Sequence, residues 1–412
     1  MLAPALPHRH SKGMADQPKS AERPAAAAPE AGCPISATVE GNRFEFVESG
    51  AERLQKLLEI IGAARESLKL IFYIFASDDT GRRVRDALVE AARRGVAVHL
   101  LVDGFGCSSA EPDFFKPIAD AGGDFCVFNP RYGARYLVRN HQKLVVADGS
   151  LGIVGGANIQ GEYLEDDGPK HWRDLWMTID GPVADHASQY FDRVYRWTKS
   201  GDGKLRELRE IVRRFSQTEG ALQWKFSGPL SRKQSWPSAV ARELTGCREV
   251  NIIAAYFAPP WSLLRRLYRV ARGGGKVQIV TAAKSDNNAT IGAARHTYSR
   301  LLRRGVQMFE YQAAKLHTKL AIVDDVVHVG SSNLDYRSIY INMEVMLRIE
   351  DADFARQVRG YFVNEVAHSE KITLPLHRRR ATMWRRIKWT ISYWLVTALD
   401  YTVTRRLNFV DG

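Results

Sequence analysis

Two stretches of the sequence place a histidine, a lysine and an aspartate at the same spacing. The first is HQKLVVADGSLGIVGGANIQG and the second is HTKLAIVDDVVHVGSSNLDYRS. The residues concerned are His141, Lys143, Asp148, His317, Lys319 and Asp324. Residues two apart on a strand project from the same face, so each histidine lies beside its lysine. A lysine ammonium repels a metal ion but attracts a phosphate, and the pattern therefore predicts a phosphate site without a metal.

This arrangement of residues is suited to cleavage and transfer of a phosphodiester group. Lysine and asparagine side chains hold the non-bridging oxygens of a phosphodiester, while one imidazole attacks phosphorus and another protonates the leaving oxygen. Two copies of the motif supply one imidazole each. Asn158 and Asn333 follow the glycines Gly155–Gly156 and Gly330, which permit close backbone approach to an anion. Such a reaction requires no cofactor.

The elements around the two motifs occur in the same order. The segments ahead of His141 are LKLIFYIF, GRRVRDALVEAARRG and VAVHLLVDG, and those ahead of His317 are VNIIAAYFAP, WSLLRRLYRVARGGG and KVQIVTAAK. Apolar runs that alternate with amphipathic helices predict mostly parallel sheets covered by helices. The offset of 176 residues between the two histidines indicates a duplicated α/β domain.

The charge of the chain favours an anionic partner. Its 412 residues carry a net charge of +13, which is typical of proteins that bind nucleic acid or a phospholipid surface. The four cysteines show no paired or metal-like spacing, which indicates a reducing compartment. The start of the chain is rich in alanine and proline and predicts a disordered tail over residues 1–38, not a signal peptide. The remainder divides into a first half (39–215), a second half (216–370) and a basic, aromatic segment (371–412).

The paired motifs resemble those of the phospholipase D superfamily, whose mark is a pair of HKD motifs. The segments FVESGAE, RRVRDALVEAARRGVAVHLLVDGFG, AYFAPP and GSSNLDYRS are similar to bacterial cardiolipin synthases of that superfamily. The resemblance covers roughly Asn42 to His368. It implies two phospholipase D-like α/β halves, with mixed sheets flanked by helices and the active site at their pseudo-twofold interface.

The resemblance also implies roles for the motif residues. His141 would form a phosphohistidine and His317 would protonate the leaving alcohol. Lys143, Lys319, Asn158 and Asn333 would hold the phosphate.

Each histidine also needs a carboxylate that fixes its tautomer, and Asp174 and Glu344 are the downstream candidates. Asp148 and Asp324 belong to the catalytic motifs. Their turn positions nevertheless predict a supporting role, in which the side chain binds backbone amides.

The second motif departs from the family spacing. Six residues separate Asp148 from Gly155, but only five separate Asp324 from Gly330. The register of the second hairpin is therefore open, and Asp325 is an alternative turn residue. We expect the strand pairing to place Asn333 nonetheless.

The C-terminal sequence MWRRIKWTISYWLVTALDYTVTRRLNF combines aromatic residues with arginine pairs. Its uncharged core, Trp389–Leu399, is shorter than the roughly 20 residues that cross a bilayer, so it favours a helix lying in the headgroup region. The alternative is a helix that packs on its own domain or on a second subunit. Nucleic acid is not favoured, because no basic cluster interleaved with polar residues lies near the histidines.

The function expected from these observations is that of a cardiolipin synthase-like phosphatidyltransferase. Its substrate would be an anionic phospholipid such as phosphatidylglycerol, and its location the cytoplasmic side of the cell membrane, as a peripheral or monotopic protein. One alternative is a phospholipase D-type phosphodiesterase that hydrolyses phospholipid or nucleic acid. The other is a catalytically silent membrane scaffold, which two intact motifs disfavour. The sequence determines neither the acceptor alcohol nor the oligomeric state.

Overall fold

The computed structural model describes residues 34–128, 138–166, 171–201, 203–229 and 235–398. These residues form two eight-stranded mixed sheets flanked by helices, together with two short two-stranded sheets. The arrangement confirms the predicted pair of α/β halves with mixed sheets. The expectation of mostly parallel sheets is wrong, because most neighbouring strands in both sheets are antiparallel, including the hairpins of residues 144–155 and 319–330 that join consecutive strands directly.

The first half contains one of the two large sheets. Its strands are β1 (Ser36–Val39), β2 (Asn42–Val47), β3 (Ser67–Phe72), β4 (Ala97–Asp103), β5 (Asp124–Phe128), β6 (Leu144–Ala147), β7 (Leu151–Gly155), β8 (Trp172–Arg173) and β9 (Trp176–Asp180). Its helices are α1 (Gly50–Ala63), α2 (Asp79–Arg93), α3 (Lys116–Asp120), α4 (Gly161–Leu164), α5 (Val183–Ser200) and α6 (Leu205–Phe215). The strand order is β1-β2-β9-β7-β6-β3-β4-β5, with β3, β4 and β5 parallel.

The second half contains the other large sheet. Its strands are β10 (Leu222–Ser227), β11 (Glu249–Ala254), β12 (Phe257–Ala258), β13 (Lys276–Ala282), β14 (Gln307–Tyr311), β15 (Lys315–Leu316), β16 (Lys319–Val323), β17 (Val326–Gly330), β18 (Leu334–Asp335), β19 (Glu344–Glu350) and β20 (Ser369–Ile372). Its helices are α7 (Ser235–Glu243), α8 (Trp261–Arg272), α9 (Asn288–Leu302), α10 (Tyr336–Tyr340), α11 (Ala352–Ala367), α12 (Leu374–Arg380) and α13 (Met383–Ala398). The strand order is β10-β19-β17-β16-β11-β13-β14-β20.

The two sheets share one topology. The order β2-β9-β7-β6-β3-β4-β5 corresponds strand for strand to β10-β19-β17-β16-β11-β13-β14, and β1 and β20 extend opposite edges. Residues 36–38, which the sequence assigned to the tail, are part of β1, because Ser36 opens an antiparallel pairing with Glu45 of β2. Residues 1–33 of the predicted tail lie outside the described residues.

A common hydrophobic core joins the halves. The Phe46 ring of β2 lies 5.6 Å from the Phe354 ring and 6.1 Å from the Tyr361 ring of α11, so side chains of both halves belong to one buried cluster. Burial of large aromatic side chains supplies much of the stabilisation in such an interface. The packing therefore holds the two sheets in a defined relative position.

Candidate active site

Both His-x-Lys segments lie at the junction between the halves, and backbone hydrogen bonds tie each to the opposite half. The amide of His141 donates to the Met343 carbonyl at 2.9 Å, and the amide of His317 donates to the Arg173 carbonyl at 2.7 Å. The short strands β15 and β8 pair in parallel beside His317, while Asn140 and Met343 form a parallel bridge beside His141. The two histidine backbones are thus held by equivalent contacts.

Each histidine is paired with a carboxylate of the opposite half. Both oxygens of Glu344 lie 3.0 Å from Nδ1 of His141, and Oδ2 of Asp174 lies 2.5 Å from Nδ1 of His317. A carboxylate that accepts from Nδ1–H leaves Nε2 available for attack or proton transfer. The sequence pointed to both carboxylates, but only the structure shows that each serves the histidine of the other half.

Lys143 and Lys319 are buried beside the histidines. The ammonium of Lys143 donates to the carbonyl oxygen of His141 at 2.7 Å, and that of Lys319 donates to the carbonyl oxygen of His317. The intervening Gln142 instead donates to the Tyr190 hydroxyl at 2.9 Å. The histidine and lysine of the motif therefore share one face of an extended segment, as the spacing predicts.

Burial controls the protonation of the basic groups. It lowers the pKa of Lys143 well below its ordinary value and lowers that of Lys319 to about 8. Burial and the adjacent ammonium groups also lower the pKa of His317 to about 3 and hold that of His141 well below its usual range. Buried cations are costly without a counter-charge, so a bound phosphodiester would stabilise their protonated forms. The site is therefore suited to an anion.

The two carboxylates have different surroundings. Burial opposes ionisation of Asp174, but the charges of His317 and Lys319 lower its pKa to about 2. Burial raises the pKa of Glu344 to about 8, although Lys143 favours its ionised form. The halves are thus chemically unequal despite their common fold.

A glycine and a serine at matching positions contribute to this inequality. A side chain at Gly156 would bring its Cβ within 2.3 Å of Oδ1 of Asp174. At the matching position, Ser331 donates from Oγ to Oε2 of Glu344 at 2.5 Å. We did not predict Ser331 from the sequence, although its place directly after Gly330 in GSSN was the available signal.

Asn158 and Asn333 also occupy matching buried positions behind the two hairpins. The Oδ1 atom of Asn158 accepts from the Ile74 amide at 3.1 Å. The Oδ1 atom of Asn333 has no hydrogen-bond partner among the described residues. The assignment of both amides to phosphate binding stays a prediction, in which the Nδ2–H groups would donate to phosphate oxygens.

Asp148 and Asp324 anchor backbone segments. Asp148 accepts hydrogen bonds of 2.8–2.9 Å from the amides of residues 65–67 at the start of β3, and Asp324 accepts from residues 248 and 249 at the start of β11. Both aspartates have a positive φ, of +50° and +47°, in the left-handed turn region. Strand β6 spans about 13 Å between Asp148 and the His141 segment. We therefore assign both aspartates a structural role.

The shorter second hairpin keeps the register of the first. In β6–β7 the last pair before the turn is Ala147 with Leu151, whereas in β16–β17 it is Val323 with Val326. The missing residue is thus absorbed by the turn, and the strand pairing beyond it is conserved between the halves. Asn333 consequently keeps the position equivalent to Asn158.

Aromatic rings border both imidazoles. Tyr73 lies 4.9 Å from His141, while Tyr163, Trp172 and Tyr256 lie 5.1, 5.3 and 6.4 Å from His317. The sequence alone did not point to Tyr163 or Trp172, although both precede Asp174 in the same segment. These rings pack against the imidazoles and restrict their orientation.

Comparison with known proteins agrees with this geometry. The family described as "Cardiolipin synthase, PLD-like domain" matches residues 57–195 and 241–366. The chain belongs to this phospholipase D-like family. Each matched range contains one complete His-x-Lys motif, the asparagine that follows it and one of the two carboxylates that pair with the histidines. The cardiolipin synthase family thus accounts for both halves, whereas the segment after residue 366 lies beyond the match.

Similar proteins extend over most of the chain. The major cardiolipin synthase ClsA of Bacillus subtilis is 31% identical, with 86% of this chain and 74% of the relative covered. Cardiolipin synthase B of Escherichia coli K12 is 29% identical, with 86% and 87% covered. Among solved structures, phosphatidylserine synthase of Haemophilus influenzae aligns with a TM-score of 0.68 at 15% identity, covering 86% of this chain and 95% of that one. This likeness supports the fold.

Proposed function

We propose that the chain is a cardiolipin synthase-like phosphatidyltransferase that works through a phosphohistidine on His141. The family and its cardiolipin synthase relatives support phosphatidyl transfer. The observation that carries the mechanism is the pair of crossed dyads, His141 with Glu344 and His317 with Asp174, beside two buried lysines. Two imidazoles at one anion site supply the nucleophile and the acid that phosphodiester exchange needs.

In the first step, Nε2 of His141 attacks the phosphorus of the donor lipid. A bond forms between Nε2 and phosphorus, the bond from phosphorus to the headgroup oxygen breaks, and that oxygen takes a proton from Nε2 of His317. Lys143 and Lys319 neutralise the charge that develops on the non-bridging oxygens. Ionised Asp174 stabilises the imidazolium form of His317 from which the proton leaves.

In the second step an alcohol resolves the intermediate. His317 accepts the hydroxyl proton, the oxygen bonds to phosphorus, and the electron pair of the phosphorus–nitrogen bond returns to His141. Water in place of the alcohol would give hydrolysis, which is the competing function. The apolar rings of Tyr163 and Trp172 lie beside His317, and such surroundings suit the carbon atoms of an organic acceptor.

Product analysis tests this function directly. Purified protein incubated with phosphatidylglycerol vesicles should form a diphosphatidyl lipid, detected by mass spectrometry, and a chelator should not inhibit because no metal takes part. Vesicles that also contain phosphatidylethanolamine reveal whether that lipid is used as well. Formation of phosphatidic acid alone would identify a hydrolase. Loss of activity with a chelator, restored by added metal, would contradict the mechanism.

The exposed face of α13 supports a membrane surface as partner. Trp384, Ile387, Ile391 and Trp394 recur three or four residues apart and are 43–81% exposed, which places them on one stripe of the helix. The stripe lies in the arginine-rich segment that contains Arg385 and Arg386. An amphipathic helix of this composition binds in the headgroup region of an anionic bilayer. Of the helices in the described ranges, none has the length and apolarity needed to cross a bilayer.

The opposite face of α13 packs on helices α9 and α12. Trp389 stacks on His377 at 5.4 Å and Tyr393 stacks on His296 of α9 at 4.8 Å. Gly292 of α9 allows this close approach, because a Cβ there would lie 2.7 Å from Oγ of Ser392. Packing on the domain and contact with lipid are therefore compatible uses of two faces of one helix. Tyr401, Arg405 and Arg406, also assigned to the membrane contact, lie outside the described residues.

Substitutions on the exposed face of α13 test lipid binding without disturbing the face that packs on α9. We expect Trp384→Ser/Trp394→Ser to weaken binding to phosphatidylglycerol vesicles at least about tenfold, because each indole contributes well over 1 kcal/mol when buried in the interface. The melting temperature should stay constant, since both rings are exposed. Val363→Ser, an exposed apolar site on α11, is the matched control. Unchanged vesicle sedimentation of the double variant would place the lipid contact elsewhere.

A further inference from the structure

Lys315 lies on the same face of the chain as the two motif residues that follow it. Lys315, His317 and Lys319 alternate with Leu316 and Thr318, both of which are fully buried, and Leu316 belongs to the core cluster shared by the two halves. The segment is extended here, because β15 pairs with β8. A step of two residues along an extended chain measures roughly 6–7 Å. Lys315 therefore lies one such step, roughly 6–7 Å along the chain, from His317.

The contacts of Lys315 hold its ammonium beside the site. The Nζ atom lies 5.0 Å from the centre of the Trp172 ring, and the same ring lies 5.3 Å from the imidazole of His317. Glu162 accepts from Nε1 of Trp172 at 3.1 Å and is 3.8 Å from Nζ of Lys315. That separation exceeds hydrogen-bond length, so the ammonium is attracted to Glu162 without donating to it. The lysine side chain is 22% exposed, and a ligand can reach it from solvent.

The matching position in the first half has a different environment. Arg139, two residues before His141, is buried, and its guanidinium lies 4.5 Å from the centre of the Phe105 ring. It also donates to the Val138 carbonyl at 3.0 Å. Arg139, the cation near His141, is thus buried against protein atoms. Lys315, the cation near His317, is partly exposed to solvent. This difference marks the His317 side as the place where a further charged group can bind.

We propose that Lys315 binds the phosphate group of the acceptor alcohol. The inference rests on the proposed function, in which the acceptor hydroxyl is activated by His317. A glycerol headgroup joins its terminal hydroxyl to its own phosphate through a three-carbon bridge, whose length is comparable to one two-residue step of extended chain. With the hydroxyl at Nε2 of His317, the acceptor phosphate then reaches the Lys315 ammonium. Lys143 and Lys319 are buried beside the histidines and serve the phosphate that is transferred.

The assignment defines the acceptor as an alcohol that carries a phosphodiester of its own. In the transfer step the acceptor oxygen bonds to phosphorus, its proton moves to Nε2 of His317, and the phosphorus–Nε2 bond of His141 breaks with its electron pair returning to the imidazole. Lys315 forms no covalent bond in this step. It lowers the free energy of the bound acceptor through a charge-assisted contact, which a phosphate-free alcohol cannot make.

A competition between two acceptors tests the proposal. Detergent micelles of phosphatidylglycerol containing ethanol offer the enzyme a phosphate-bearing and a phosphate-free acceptor, and mass spectrometry measures the diphosphatidyl lipid and the phosphatidylethanol formed. For Lys315→Met we expect the ratio of the first product to the second to fall at least about tenfold, as the loss of one charge-assisted contact implies. Lys315→Arg keeps the charge and should retain most of the ratio. Lys276→Met, which removes an exposed lysine at the start of β13, should not alter it.

The outcomes separate this proposal from the one on which it rests. An equal fall of both products in Lys315→Met would mean that the lysine acts through Trp172 on His317, and it would overturn the acceptor assignment. Wild-type protein that forms phosphatidylethanol but no diphosphatidyl lipid would refute the acceptor class while leaving phosphatidyl transfer intact. Wild-type protein that forms neither product would overturn the proposed function and this inference together.

Discussion

Replacing either His141 or His317 with alanine should reduce phosphatidyl transfer from phosphatidylglycerol by at least about 10³-fold. The reason is that the proposed reaction uses both imidazoles, one as nucleophile and one as acid. The double variant should be little worse than either single variant, because groups that act as a unit are not additive. Initial rates of product formation, measured by mass spectrometry, check this expectation.

The control for these variants is His368→Ala, which removes an exposed histidine at the end of α11 and should keep full activity. Partial losses that multiply in the double variant would indicate two independent sites. A donor with a nitrophenyl leaving group separates the roles, because that group departs without an acid. His317→Ala should then still label a peptide that contains His141. Label on His317 would reverse the assignment of nucleophile and acid.

The second large effect is expected from substitution of the carboxylates that pair with the two histidines, Asp174 and Glu344. Asp174→Asn should slow transfer from phosphatidylglycerol about 10²-fold or more, because an amide in place of the carboxylate disturbs the tautomer of His317 and the stability of its imidazolium. With the nitrophenyl donor the same variant should lose much less, since the acid is then dispensable for labelling of His141. Glu344→Gln should instead impair labelling of His141 with either donor.

This comparison distinguishes pairing across the halves from pairing within them. If each carboxylate served the histidine of its own half, Asp174→Asn would abolish labelling of His141 and Glu344→Gln would spare it. Both substitutions preserve size and shape, so equal melting temperatures show whether the fold is retained. The measured quantity is the rate of labelling with each donor, compared between the two variants.

The duplication, the α/β class and the motif residues of the candidate site can be read from the sequence, whereas Ser331, Tyr163 and Trp172 were not predicted from it. Strand and helix periodicities are local properties, and two copies of one order of elements indicate two copies of one fold. The spacing of His141 and Lys143, or of His317 and Lys319, settles which side chains share a face. Asp174 and Glu344 could also be predicted from the sequence, because they occupy equivalent places in the two halves. Asp174 shortly precedes β9, and Glu344 is the first residue of β19.

Which of these groups contact one another depends on the packing of the two halves. Each carboxylate is equally compatible with either histidine in the sequence, and only the packing of the halves brings Glu344 to His141 and Asp174 to His317. The two faces of α13 were likewise decided by its docking on α9, because an apolar face lacks a defined partner until the fold supplies one. Lys315 gained its place beside Trp172 in the same way, through the pairing of β15 with β8. Contacts between segments that are distant in the sequence depend on how the sheets pack. The periodicity of a single strand or helix does not predict that packing.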